Sequence, residues 1–227
     1  MQRFAAPRQT ALWLTPVFCL MMAGVAWGYE HRPYKDLVAQ YTSSLVGRTP
    51  AQRHNILMAA KRLDGAEVGP GSKFSFNATV GPRTAERGFI PANAFMEGSL
   101  LRSLGGGVCQ ASSTLYAAVQ ETSFKVTERH AHHSLVESVP PGRDAAVWYG
   151  QADLAFENGS DRPVRIRAIA DESRLRIELW GTAAAEERAA LRFLYRYGAK
   201  KSQRVVAVYR RVEGRNTLLS TDVYRLR

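Results

Sequence analysis

The stretch Gly105-Gly106-Gly107-Val108-Cys109-Gln110-Ala111-Ser112-Ser113-Thr114-Leu115-Tyr116 decides how this chain is read. Three glycines interrupt the chain and open a helix predicted over 108–122, with Cys109 in its first turn. Unsatisfied N–H groups at a helix start carry roughly +0.5 of a charge, which favours a thiolate. The glycines Gly105, Gly106 and Gly107 lack side-chain bulk, so a substrate backbone can approach. The same N–H groups, with Gln110, are candidates to cradle the oxyanion of a tetrahedral intermediate. The triplet is neither a GxGxxG fingerprint nor a P-loop, since no Gly-Lys-Ser/Thr follows. The bland alternative for Cys109 is a small buried hydrophobe.

Working outward, Thr49-Pro50 supplies an N-cap and an N1 proline for a helix predicted over Pro50–Leu63, which Asp64-Gly65 ends. Residues 36–45 read as another short helix, 73–76 as a short strand and 81–88 as a loop. Beyond the cysteine helix, strand signals dominate: 125–128, 135–139, and an alternating pair, 162–170 and 174–180, around Asp171-Glu172-Ser173. The expected class is α+β, with the cysteine-bearing helix packed on an antiparallel sheet.

The chain has 227 residues, 45% hydrophobic and 22% charged, which excludes a disordered, collagen-like or polytopic membrane protein. Thirty-one Lys and Arg against 20 Asp and Glu give a formal charge of +11, suited to partners bearing phosphates or carboxylates. Residues 186–227 hold eleven Lys/Arg and four Asp/Glu, so +7 of that charge lies there. Within them, 204–212 and 217–226 alternate around a turn and predict a basic β-hairpin appendage. It reads either as a charged edge that resists aggregation or as a contact for anionic envelope polymers or a membrane surface.

Arg3 and Arg8 precede eighteen uncharged residues, Ala11 to Gly28, the pattern of a secretory signal, with an uncleaved signal anchor as the alternative. Export places the protein in the cell envelope and argues against nucleic acid as the partner of the basic tail. The expected organisation is 1–28 signal or anchor, 29–182 main domain and 183–227 basic extension. Cys19 lies in the signal, so the exported part has one thiol, Cys109, and no disulfide framework. A thiolate carrying out acyl transfer needs a base. His130, His132 and His133 cluster in Arg-His-Ala-His-His-Ser, where an extended chain puts His130 and His132 on one face and His133 on the other. A metal site lacks a third ligand, so neither metal nor cofactor is expected.

The block 105–116 quoted above, with Phe74-Ser75-Phe76-Asn77, Val80-Gly81-Pro82-Arg83-Thr84, Gly88-Phe89, Glu128-Arg129, His133-Ser134, Gly142-Arg143-Asp144-Ala145 and Tyr149-Gly150, closely resembles the VanW family. The likeness covers about 53–181. That family is named for a gene in some vancomycin-resistance clusters, and some of its domains are linked to L,D-transpeptidase activity. The resemblance implies Cys109 as nucleophile and His133 as base, with His132 and His130 as alternative bases. Asp144 is the candidate to orient the histidine, and Arg83, Arg87 and Arg143 are candidates for a donor carboxylate. The expected function is an exported cysteine acyltransferase acting on peptidoglycan stem peptides in the manner of an L,D-transpeptidase. The alternatives are a thiol amidase or endopeptidase, and a non-enzymatic envelope-binding or assembly module.

Overall fold

Among the described residues the first element is a strand, β1 (Asp36–Ser44), where the sequence predicts a helix. From Ala39 to Ser44 burial alternates residue by residue, the period of an extended chain. Pairing decides it: β1 lies antiparallel to β9 (Arg174–Gly181), from Asp36 opposite Gly181 to Ser44 opposite Arg174. The computed structural model describes residues 34–96, 99–182, 192–200, 202–212 and 215–226. The signal or anchor expected over 1–28 lies outside them. Among the described residues no helix is long and apolar enough to cross a membrane.

Helix α1 (Pro50–Leu63) forms as its caps predict: Gln52 N–H donates to Thr49 Oγ1, and the Gln52 side chain accepts the Thr49 N–H. Short strands β2 (Glu67–Val68) and β3 (Lys73–Ser75) follow, then a one-turn helix α2 (Phe76–Val80) capped by Ser75. The hairpin β4 (Pro91–Met96) and β5 (Ser99–Leu104) leads directly into α3 (Val108–Val119), the cysteine helix. After it come β6 (Lys125–Glu128), β7 (Ala155–Glu157) and β8 (Val164–Ala170).

The main sheet has the order β1-β9-β8-β2, antiparallel throughout. Helix α3 packs on β1 and β9, and α1 packs on both α3 and β8. Ile56 and Leu63 from α1, Leu115 from α3, and Ile166, Leu175, Ile177 and Leu179 from the sheet are fully buried between these layers. Burying each such side chain contributes about 1.5–3 kcal/mol. A second sheet, β3-β7-β6, closes the other side, where the Phe74 and Phe124 rings stack on Phe156. The protein is α+β, with antiparallel sheets and few helices.

Two local expectations are corrected. Residues 135–139 form no strand; beside them only Ser134 makes an isolated bridge, to Arg225. The basic tail is a three-stranded meander, β10 (Arg192–Lys200), β11 (Gln203–Val212) and β12 (Arg215–Arg225), with β11 in the centre. The hairpin expectation missed β10, which pairs with β11 from Arg192 opposite Arg211 to Lys200 opposite Gln203.

Candidate active site

Gly106 and Gly107 make the turn that starts α3. Gly107 is the N-cap at φ 101°, a left-handed conformation that side chains resist. A Cβ on Gly106 would lie 2.3 Å from the Ala92 carbonyl oxygen of β4. The close approach that these glycines permit is therefore made by the chain's own backbone, where the sequence reading expected a substrate's.

Cys109 follows at the second helical position, half-buried, with Sγ 3.5 Å from the Val147 carbonyl oxygen. All residues from Gln110 to Val119 are buried, so the polar ones need internal partners. Gln110 donates to Ser44 O and Ser43 Oγ and accepts from Arg48 Nε. With its side chain committed to β1, Gln110 is not free to serve as the expected oxyanion donor. Thr114 Oγ1 lies 2.7 Å from Ser43 Oγ. Ser112 Oγ donates to Ala145 O at 2.7 Å, and Ser113 Oγ accepts the Ala145 N–H at 3.0 Å. The two serines thus grip the segment that carries Asp144 and Val147 alongside the thiol.

Asp144 is wholly buried. Its Oδ2 accepts both the backbone N–H and Nδ1–H of His132, each at 2.7 Å. That bond leaves Nε2 of His132 free to face the Cys109 sulfur, close enough for thiol and ring to shift each other's titration. Burial opposes the imidazolium, but hydrogen bonds to Asp144 and Cys109 outweigh it and push its pKa up to about 10. Burial also opposes the thiolate. The hydrogen bond and charge of His132, the Val147 backbone and the Arg83 guanidinium overcome it and hold the Cys109 pKa below the ordinary thiol range. The Asp144 carboxyl is held low in the same way, with His132 and Arg129 prevailing over burial. Cys109, His132 and Asp144 lie in the order in which a nucleophile, a base and an orienting carboxylate would be arranged.

His133, the expected base, is exposed; among the described residues its backbone carbonyl accepts Arg225 N–H at 2.7 Å. His132 takes the place beside the thiol. His130 is exposed and paired with Glu128 at 3.0 Å. Arg83 stands near the sulfur: its Nη1 donates to Gly81 O, its guanidinium lies over the Phe76 and Tyr149 rings, and its buried Nη2 has no partner among the described residues. Arg87 instead packs on Gly81 and donates to Val80 O. Arg143 pairs with Glu121 at 2.5 Å and covers the Tyr41 ring, beyond the far end of α3 from Cys109. Gly105 is buried with φ 80°, its α-carbon facing the Arg83 side chain. Among the described residues no group of three or more His, Cys, Asp or Glu is arranged to hold a metal.

Three residues that the sequence reading did not single out complete the surroundings. Arg129 donates to Asp144 Oδ1 at 2.9 Å and to its backbone carbonyl at 2.7 Å, and also pairs with Asp222. Tyr224 donates to Asp144 Oδ1 at 2.5 Å. The signal within reach was alternation in β12, which turns Asp222 and Tyr224 to one buried face.

A family model described as VanW like protein matches residues 51–180, more than half of the chain. The chain belongs to the VanW family. The VanW segment holds Cys109, His132 and Asp144, whereas Asp222 and Tyr224 lie beyond it. The chain is 40% identical over 131 residues to an uncharacterised protein, YoaR, of Bacillus subtilis, covering 58% of this chain and 43% of that protein. It is 28% identical over 128 residues to the Vancomycin B-type resistance protein VanW of Enterococcus faecalis, covering 53% of this chain and 46% of that one. The matches thus span less than half the length of these relatives. No solved structure matches the chain.

Proposed function

We propose that this VanW-family chain is a cysteine acyltransferase acting on peptidoglycan stem peptides. The observation that carries the reading is His132, held at Nδ1 by the buried Asp144 carboxylate beside the Cys109 thiol, with which it interacts electrostatically. The Cys109 thiolate attacks a peptide carbonyl carbon, and the tetrahedral intermediate collapses as His132 Nε2 gives its proton to the leaving amine. The resulting thioester is attacked by an acceptor amine, whose proton passes back to His132 as the thiolate departs. Helix-start N–H groups beside Cys109 stabilise the oxyanion, and Arg83 adds positive charge beside the sulfur for an anionic substrate. Likeness to a protein named for vancomycin B-type resistance supports the choice of a cell-wall substrate. The apolar run 11–28 suits delivery there, and the basic tail suits anionic envelope polymers.

Incubation of the chain with tetrapeptide muropeptides, followed by mass spectrometry, tests this. Cross-linked dimers lacking one terminal residue support the transferase. Shortened monomers assign the same thiol to hydrolysis, and unchanged muropeptides in the presence of an alkylatable Cys109 overturn the reading.

A further inference from the structure

Strand β12 reaches the reactive constellation from outside the family segment. Along residues 221–225 burial alternates, with Asp222 and Tyr224 inward and Thr221, Val223 and Arg225 outward. The Tyr224 ring is anchored among Val206 and Val208 of β11, with Ala131 and Leu219 packed against them. Its hydroxyl accepts the Gly142 N–H at 2.8 Å and donates to Asp144 Oδ1 at 2.5 Å. Asp222 pairs with Arg129, which donates to the same Oδ1 at 2.9 Å. The strand is tied down beside the base, because Arg225 N–H donates to His133 O and Ser134 bridges to Arg225. From β11, Arg210 Nη1 donates to Thr122 O just past α3.

The two carboxylate oxygens of Asp144 are thereby divided. Oδ1 is filled by Arg129 and Tyr224, and Oδ2 is left for His132. A carboxylate held on both oxygens cannot rotate away from the imidazole, and its negative charge is set by what sits behind it. We propose that Asp222 and Tyr224 are positioning residues of this site, acting through Arg129 and Asp144 to hold and tune His132, so that the C-terminal sheet is part of the catalytic apparatus. This rests on the reading of Cys109, His132 and Asp144 as the reactive unit. It gives the basic tail a part beyond the charged edge or polymer contact expected from its sequence.

The charged and titratable groups that face His132 are Cys109 and Asp144 directly, with Arg129, Asp222, Tyr224 and Tyr116 behind Asp144 and Arg83 beyond the sulfur. Two substitutions in the full chain perturb that set with opposite signs. Asp222→Asn removes a negative charge that offsets Arg129, so the imidazolium gives up its proton at lower pH. Tyr224→Phe keeps the buried ring and removes a donor that disperses the Asp144 charge, so the imidazolium is held to higher pH.

NMR titration of the His132 ring reads both, alongside melting temperatures. The expected result is a downward shift for Asp222→Asn and an upward one for Tyr224→Phe, each on the order of half a pH unit. Asp222→Glu should bring the titration back toward the wild-type value. A His132 titration unchanged in both variants, with only melting affected, overturns the proposal and leaves a structural ion network. If Asp222→Asn does not fold, the Tyr224→Phe titration decides alone. These measurements need no muropeptide, so a chain that turns over none yet shows the paired shifts loses the peptidoglycan reading and keeps this one.

Discussion

Asp144 Oδ2 accepts two hydrogen bonds from His132, one from the backbone N–H and one from Nδ1, both 2.7 Å long. A single oxygen therefore fixes the residue's backbone and its ring together, and sets the tautomer that presents Nε2 to the thiol. The neighbouring His133 has its carbonyl bound to Arg225 and its side chain in solvent. Chemically the two residues are the same; their hydrogen bonds place only one of them beside Cys109.

Substitution at these two histidines should separate them sharply. In His132→Ala the burial that opposes the thiolate remains while its main support is gone. The iodoacetamide labelling midpoint of Cys109 should then rise to or above the ordinary thiol value of about 8.5. In His133→Ala it should stay where it is in the parent. Equal midpoints in the two variants would contradict the geometry.

The wild-type labelling midpoint should lie below about 8.5, because the Cys109 pKa is lowered. Turnover should fall on the alkaline side as His132 loses its proton near pH 10, since the leaving amine then lacks its acid. The linked stability has a definite sign. The raised His132 pKa contributes stability that is complete below its unfolded value near 6.5 and declines as pH rises through about 10. The lowered Asp144 pKa contributes stability present above the ordinary carboxyl range and lost as pH falls through its folded value. Melting temperature against pH should therefore fall away on both sides, and a curve still rising at pH 10 would refute the assignment.

Asp144→Asn leaves Arg129 with Asp222 as its remaining acidic partner and deprives His132 of its anionic acceptor. Breaking one partner of a buried ion pair costs about 3–5 kcal/mol. Chemical denaturation should show a loss of that order. A loss under about 1 kcal/mol, the worth of a surface pair, would mean that the cluster is better hydrated than its burial indicates.

Gly106→Ala places a methyl group against the Ala92 carbonyl of β4, a backbone atom that cannot swing aside. The substitution should cost more than about 2 kcal/mol, as overpacking in a closed site does. Gly159→Ala, with nothing within 4 Å of its Cβ, is the control and should stay within about 0.5 kcal/mol of the parent. Urea midpoints compare the two directly.

A chain ending at Thr182 loses Asp222, Tyr224 and the Arg210 contact. Its melting temperature should fall, and the Cys109 labelling profile should change with it. Unaltered melting and labelling would restore the tail to the role of a charged tether, with wall binding that salt screens over about 8 Å at physiological ionic strength.

Local features carried a good part of this in the sequence. The Thr49-Pro50 cap and the strand pair around Asp171 needed only neighbouring residues and stand where periodicity placed them. The helix start at the glycine triplet is local as well, and it sets Cys109 in a first turn. Residues 36–44 misled because their helix and strand propensities are nearly balanced, so the partner strand 130 residues onward decided the outcome.

What the sequence determined by itself was the α+β class, the family likeness and the thiol in the first turn of its helix, each resting on composition or on contiguous motifs. Alternation expected His130 and His132 on one face, yet only His132 turns inward, because residues 131–133 form no strand and long-range hydrogen bonds set their direction. That choice was made by Asp144, twelve residues away, and by Arg225 on the last strand. Asp222 and Tyr224 likewise meet Arg129 and Asp144 only because β12 folds back across some eighty to ninety residues of chain. Hydrogen bonds between groups so distant in sequence leave no local period to read, and only the tertiary structure brings them together.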